Sequence, residues 1–68
     1  MADELNPETI LDLRHRLQLS QAAFAVRLNE QIPGLRVNQV TVARWENGKH
    51  KPSGVAAAAL DRLRSFAS

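Results

Sequence analysis

The chain contains no cysteine among its 68 residues, and this absence excludes disulfide bonds and thiolate metal sites. The same absence fits a protein of the reducing cytoplasm. No apolar stretch approaches the roughly 20 residues that a membrane-spanning helix needs. The first residues, MADELNPE, are acidic, whereas a signal peptide begins with basic residues. We therefore expect a cytoplasmic protein without a membrane partner.

Acidic residues and histidines are too few and too scattered to build a catalytic or metal site. Four of the seven carboxylates lie in the first twelve residues, at Asp3, Glu4, Glu8 and Asp12. The two histidines, His15 and His50, are distant in sequence and have no cysteine to join them as zinc ligands. No glycine-rich phosphate-binding loop is present. We expect no enzymatic activity, no metal and no cofactor.

The length and the charge distribution describe one small basic domain. A chain of 68 residues buries only about 60% of its unfolded surface, so we expect a single domain spanning 1–68. Residues 1–6 would form an acidic, flexible leader. Residues 13–68 carry all nine lysines and arginines against three acidic side chains, a net charge of +6. This basic body favours a polyanionic partner, although a charged solubilising surface would also explain it.

Capping residues predict the first two helices. The first helix should begin at Asn6-Pro7-Glu8, because Asn caps, Pro suits the first helical position and Glu favours the positive helix end. It should end near Gln18, with a buried face of Ile10, Leu13 and Leu17. The second should begin at Ser20 and end within 28–31, with a buried face of Phe24, Ala25 and Leu28. Pro33-Gly34 then predicts a turn.

Two further helices follow the turn. The third should begin after Asn38 and end before Gly48, which occupies the position of a left-handed C-terminal residue. Pro52 prevents continuation, and Ser53 should cap a fourth helix over 54–65. The buried residues predicted for the third helix are Val42 and Trp45, and those for the fourth are Val55, Ala59, Leu63 and Phe66. The pattern predicts an all-α bundle.

The outward face of the third helix is poor in charge and matches the edges of DNA bases. Glutamine pairs with adenine, arginine pairs with guanine, and valine and threonine methyl groups contact the thymine methyl. The residues on this face are Gln39, Val40, Thr41, Ala43 and Arg44. Candidate phosphate anchors flank it on both sides, at Ser20, Gln21, Asn47, Lys49 and Lys51. A solvent-facing helix that merely lacks charges is the alternative interpretation.

Two stretches resemble the lambda-repressor/Cro-like helix-turn-helix family. They are LRHRLQLSQAAFAVRL and VTVARWENGKHKPSG, and the resemblance covers residues 10–63. The shared pattern is an arginine in the first helix, LSQ opening the second, and WENG followed by proline at the end of the third. The tail ENGKHKPSGVAAAALDRL is similar to antitoxin regulators of toxin–antitoxin pairs. The resemblance implies a four-helix or five-helix bundle that contains a helix-turn-helix.

The resemblance also implies roles for individual residues. Bases would be read by Gln39, Val40, Thr41 and Arg44. Phosphates would be held by Ser20, Gln21, Asn47, Lys49 and Lys51. Arg14 and Glu46 would form a partly buried ion pair that ties the first helix to the end of the third.

The chain departs from the family pattern in two places. The connection NEQIPGLRVN replaces a tight glycine turn, so either the second helix is longer or a loop bulges beside the DNA. Arg36 in this elongated turn would then add a phosphate contact. The chain also stops soon after the fourth helix, where the family commonly has a fifth that contributes to the dimer. A homodimer would therefore use Leu60, Leu63 and Phe66 of the fourth helix, or the N-terminal segment.

Together these features favour a sequence-specific, double-stranded DNA-binding transcriptional regulator. Helix 38–47 would read the major groove, and the protein would act as a nucleoid-associated repressor. The alternative is a protein-interaction module, such as an antitoxin that covers a toxin. Its working surfaces would then be the acidic leader, Asp3 to Glu8, and the apolar end of the fourth helix.

Overall fold

The computed structural model describes residues 5–67, without the side chain of Ala67. Within this range it has no strand and four helices: α1 Pro7–Arg16, α2 Gln21–Gln31, α3 Gln39–Glu46 and α4 Gly54–Ala67. The all-helical prediction is confirmed, and residues 5–67 contain no fifth helix. Most of the predicted leader, residues 1–4, lies outside the described residues. No helix of the described chain is long and apolar enough to cross a membrane.

Three helices begin at the side-chain caps that the sequence predicts. Asn6, Ser20 and Asn38 each accept a hydrogen bond from the backbone N–H three residues further on, at 2.8, 3.1 and 2.9 Å. Each cap satisfies one of the N–H groups that lack a partner within the first turn of a helix. The local sequence therefore determines where α1, α2 and α3 start.

The end of α1 has an unusual backbone conformation at Gln18. This residue has a φ of 59°, in the left-handed region that side chains other than glycine seldom adopt. The Gln18 N–H donates to the His15 carbonyl at 3.0 Å, and the Leu19 N–H donates to the Arg14 carbonyl at 3.2 Å. This pair of bonds is a Schellman motif, and it turns the chain sharply from α1 into the cap of α2.

One continuous apolar core joins all four helices. α2 packs against α3 and α4, and α1 packs against the same two helices. The buried side chains are Ile10, Leu13, Phe24, Ala25, Leu28, Val37, Val42, Trp45, Ala59, Leu60 and Leu63. The predicted buried faces of α2 and α3 are confirmed in full. In α1, Ile10 and Leu13 are buried and Leu17 is partly buried.

The predicted buried face of α4 is wrong at both of its ends. Val55 and Phe66 are 53% and 76% exposed. The inward side chains are instead Ala56, Ala59, Leu60 and Leu63. Because successive residues of a helix are about 100° apart, Val55 and Phe66 lie roughly 70–90° from the centre of this stripe. They therefore miss the core, although each shares helical spacing with one of its members.

The burial of Leu60 and Leu63 also corrects the predicted dimer surface. Both side chains are at most 2% exposed, because they fill the core against the other helices. They cannot contact a second copy while the fold is intact. Of the three residues predicted for this role, Phe66 alone is accessible.

The connection between α2 and α3 is an ordered turn against the core. Ile32 has an extended conformation, as expected for a residue that precedes proline, and α2 therefore ends at Gln31. The Leu35 N–H donates to the Ile32 carbonyl at 3.2 Å around Pro33-Gly34, and Gly34 has a φ of 89°. This arrangement matches a type II turn with glycine at its third position. Ile32, Leu35 and Val37 pack on the core.

Candidate nucleic-acid interface

One face of helix α3 packs against the core, and the opposite face is exposed to solvent. Val42 and Trp45 are buried, whereas Gln39, Val40 and Arg44 are exposed. The connection 32–38 does not cover these side chains. Thr41 is half-buried, and its hydroxyl donates to Asn38 Oδ1 at 3.0 Å, which leaves its methyl group and oxygen lone pairs for other contacts. The described geometry therefore brings all four predicted base-reading residues onto one short helix.

The chain leaves α3 through a second Schellman motif. The Gly48 N–H donates to the Trp45 carbonyl at 3.2 Å, and the Lys49 N–H donates to the Arg44 carbonyl at 2.9 Å. Gly48 has a φ of 79°, whereas a Cβ there would meet only Pro7 Cγ at 3.7 Å. Backbone conformation, not space, therefore requires glycine at this position. The motif places Asn47 and Lys49 on the surface just beyond the helix.

A network of polar side chains joins the end of α3 to α1 and to the start of α2. Arg14 Nε donates to Glu46 Oε2 at 2.6 Å, and Arg14 Nη2 donates to Glu46 Oε1 at 3.1 Å. The two side chains are only 15% and 8% exposed. Arg14 Nη1 also donates to the Leu19 carbonyl at 3.0 Å. The ion pair expected from the family resemblance is thus present, with two parallel bonds and a further backbone anchor.

The carboxyl group of Glu46 stays ionised in this environment. Burial raises the pKa of Glu46, but hydrogen bonds from Arg14 and Gln21 and the positive charge of Arg14 lower it more. The net pKa therefore lies below the ordinary value of glutamate. An ionised Glu46 neutralises Arg14, so this pair contributes no net positive charge to the surface around α3.

Gln21 has a role in the fold in addition to its predicted role at phosphate. Its Nε2 donates to Glu46 Oε1 at 3.0 Å, and the side chain is half-buried. Ser20 is exposed, and its hydroxyl oxygen caps α2. The amide of Gln21 is therefore held at a fixed position beside α3, and one of its hydrogens is already used.

Eight of the nine lysines and arginines fall into two groups, and the ninth, Arg62, donates to the Gln31 carbonyl at 3.4 Å. Four arginines are paired with carboxylates: Arg14, Arg16, Arg27 and Arg64. Four other cations are exposed and have neither an ion pair nor a side-chain hydrogen bond within residues 5–67: Arg36, Arg44, Lys49 and Lys51. All of the second group lie on α3 or on the segments that flank it. Glu46, the one acidic residue between positions 31 and 60, is already bound to Arg14.

A shallow groove of about 270 Å³ runs beside the second half of α3. Its lining includes Arg44, His50 and Lys51 together with the Thr41 and Ser53 side chains. The neighbours of His50 in the chain do not reveal that it shares this groove with Arg44. The groove extends the cationic surface from α3 towards the start of α4.

Among residues 5–67, no group of three or more histidine, aspartate and glutamate side chains is placed to hold a metal ion. In comparisons with known proteins, no family model, curated protein or solved structure matches this chain.

Proposed function

We propose that this protein is a sequence-specific, double-stranded DNA-binding regulator that inserts α3 into the major groove. Gln39, Val40, Thr41 and Arg44 read base edges. Ser20, Gln21, Arg36, Asn47, Lys49 and Lys51 hold phosphates. A bundle of the lambda-repressor-like type, as the motifs indicate, would place these groups on one side of the duplex. Repression by occupation of a promoter is the simplest mode of action for such a protein.

The partition of the cations is the observation that carries this proposal. A basic residue that is already paired with a carboxylate contributes little to binding a polyanion, because its charge is neutralised nearby. Here the four cations with neither an ion pair nor a side-chain hydrogen bond in the described residues, Arg36, Arg44, Lys49 and Lys51, all lie on or beside α3. Arg62 on α4 differs from them, since it donates to the Gln31 carbonyl. Cations grouped around one helix provide the nonspecific affinity that phosphate contacts supply.

The dimensions of α3 are compatible with the major groove. Eight helical residues span about 12 Å, and the groove is about 12 Å wide. Arg44 and Gln39 carry the donors and acceptors that distinguish guanine and adenine, and the exposed Val40 offers an apolar surface to thymine. The helix is short, so its orientation depends on its anchors, and these are the Arg14–Glu46 pair and the buried Trp45.

Selection of bound duplexes from a random pool, followed by titration of the selected site against salt, tests the proposal. We expect one preferred sequence, and a logarithm of the binding constant that falls linearly with the logarithm of salt concentration. Neutralisation of three phosphates by Arg36, Lys49 and Lys51 gives a slope of about −2.7. Failure to enrich any sequence, or a flat salt dependence, would contradict the proposal.

The exposed Phe66 favours a second candidate, a protein-interaction module such as an antitoxin. Its side chain is 76% exposed at the end of α4, whereas Leu60 and Leu63 are buried and cannot contribute. The other surface predicted for this function begins at Asp3 and Glu4, which lie outside the described residues. A partner that co-purifies with the wild-type chain and is lost from Phe66→Ala, in the absence of any DNA selection, would favour this function instead.

A further inference from the structure

The side chain of Asn29 holds the far end of the connection between α2 and α3. Asn29 Nδ2 donates to the Val37 carbonyl at 2.9 Å, and Asn29 Oδ1 accepts from the Val37 N–H at 2.8 Å. Both bonds are partly buried. A single amide group thus satisfies both backbone polar groups of Val37, as a paired strand would do. We call this arrangement the Asn29 clasp.

The clasp fixes the orientation of the residue next to it. Successive side chains of an extended segment point to opposite sides. Leu35 packs on the core, Val37 is buried, and Arg36 between them is exposed, which is the alternation that an extended segment produces. Because the clasp and the two apolar neighbours restrain the backbone on both sides of Arg36, its Cα position is determined by the fold.

Arg36 lies close enough to α3 to reach the edge of the same groove. It is three residues before Gln39, where α3 begins, so the two Cα atoms are at most about 11 Å apart. The major groove is about 12 Å wide and is bounded by the phosphates of both strands. Arg36 has no carboxylate partner in the described part of the chain, so its guanidinium is available to a phosphate.

We propose that Asn29 is a positioning residue that turns the elongated connection into a rigid arm, so that Arg36 makes an ordered phosphate contact beside α3. This inference rests on the DNA-binding function proposed above. A flexible loop would lose conformational entropy when it bound, whereas a rigid arm has already lost it during folding. Arg36 contributes fully to affinity while the clasp is intact and contributes little once it is removed.

The first test measures the rigidity of the arm without DNA, by backbone ¹⁵N relaxation of the full chain. We expect order parameters near 0.85 for residues 34–37 in the wild type, and below about 0.6 in Asn29→Ala. Asn6→Ala is the matched control, because it also removes a hydrogen-bonding asparagine but lies at the start of α1. If Asn29→Ala does not fold, Asn29→Asp keeps the acceptor for the Val37 N–H and removes the donor to its carbonyl. A connection that stays rigid after loss of the clasp overturns the inference.

The second test is a double-mutant cycle on binding to the selected DNA. Arg36→Ala should reduce the steepness of the salt dependence by about 0.9 in the wild-type background. In the Asn29→Ala background the same change should have almost no effect, whereas in the Asn6→Ala background it should keep its full effect. Equal effects of Arg36→Ala in all three backgrounds overturn the inference.

The two tests separate this inference from the proposed function. A wild-type protein that selects no DNA refutes the DNA-binding function and, with it, the role of Arg36. The relaxation measurement then still decides whether Asn29 makes the connection rigid. Selective binding together with an Arg36 effect that is independent of Asn29 refutes the positioning role and leaves the proposed function intact.

Discussion

At the scale of single residues, the network around Glu46 is the most consequential feature of the chain. Arg14 contributes three hydrogen bonds, two to Glu46 and one to the Leu19 carbonyl. The network joins residues from α1, α2 and α3, and it lies directly behind the helix that we propose to read DNA. Charge therefore serves two separate purposes here, since Arg14 stabilises the fold while Arg44 remains free at the surface.

Loss of Arg14 should be costly, whereas loss of a neighbouring arginine should not. Arg14→Gln leaves Glu46 largely buried with only Gln21 as a partner, and we expect the free energy of unfolding to fall by about 2–3 kcal/mol. Arg16→Gln is the control: its pair with Asp12 is more than 60% exposed on both sides, so we expect a change below about 0.5 kcal/mol. Urea unfolding at pH 7 measures both. Equal losses would show that the Arg14–Glu46 pair has no special role.

The pH dependence of stability should report the ionisation of Glu46. Because its pKa in the folded protein is lowered, its contribution is fully present above the unfolded value of about 4.3 and disappears as the pH falls through the folded value. We expect the difference in unfolding free energy between the wild type and Glu46→Gln to be constant from pH 7 to about pH 5.5. It should shrink as the pH falls below the unfolded value. A difference that persists unchanged to pH 3 would contradict this assignment.

At the scale of elements, α3 combines a fixed inner face with a free outer face. Val42 and Trp45 anchor it to the core, and its two ends are fixed by the Asn38 cap and the Gly48 motif. A helix of eight residues is too short to be stable alone in water. Its rigidity therefore comes from the fold, and its outer side chains are free to contribute to recognition.

Two substitutions on and beside α3 should affect DNA binding in different ways. Arg44→Ala should relax base preference at one position of the site and reduce specific binding by about 1–3 kcal/mol. Lys49→Ala should weaken binding to all sequences about equally and reduce the steepness of the salt dependence by about 0.9.

Competition binding with selected and scrambled duplexes distinguishes these effects. Arg16→Ala is the charge-matched control, because it removes one positive charge that is already paired with Asp12. We expect it to leave both measurements unchanged. If Arg44→Ala and Lys49→Ala altered thermal stability alone and left DNA binding intact, the proposed roles of both residues would be wrong.

At the scale of the whole molecule, a small core leaves little stability in reserve. The principal extents are 28 × 25 × 24 Å, and the core within residues 5–67 contains eleven buried apolar side chains. A domain of this size typically has only about 3–5 kcal/mol of stability. Each large buried side chain therefore accounts for a substantial part of the total.

Two substitutions on α4 test this description of the core. Leu60→Ala removes a fully buried side chain and should cost about 2–5 kcal/mol, which is enough to unfold much of the protein at 37 °C. Phe66→Ala removes a larger side chain from an exposed position and should cost less than about 0.5 kcal/mol. Thermal unfolding followed by circular dichroism compares the two. Similar losses would show that Phe66 belongs to the core.

Structural features that are caused by interactions among a few neighbouring residues were predicted correctly from the sequence. The caps at Asn6, Ser20 and Asn38 reach three residues along the chain. Pro33-Gly34 specifies its turn through allowed backbone angles, and Gly48 ends α3 in the same way. The buried faces of α2 and α3 follow from helical periodicity. These features depend on local geometry, which the order of the residues contains.

Only the tertiary structure shows which residues distant in sequence come into contact. Local sequence does not reveal that Gln21 binds Glu46, that Asn29 binds the backbone of Val37, or that His50 shares a groove with Arg44. The same helical spacing that indicated a buried face on α4 fits both the buried Leu63 and the exposed Phe66.

The sequence by itself determined the four helices, the starts of α1, α2 and α3, and the types of side chain around α3. The pairs of Arg16, Arg27 and Arg64 with carboxylates three or four residues away in the same helix are likewise local. The ends of α1 and α4 differ by two residues from the predicted ends at Gln18 and residue 65. Only the packing of helices against one another brought Arg14 to Glu46, because an ion pair requires two groups within a few ångströms, regardless of how far apart they lie in the chain.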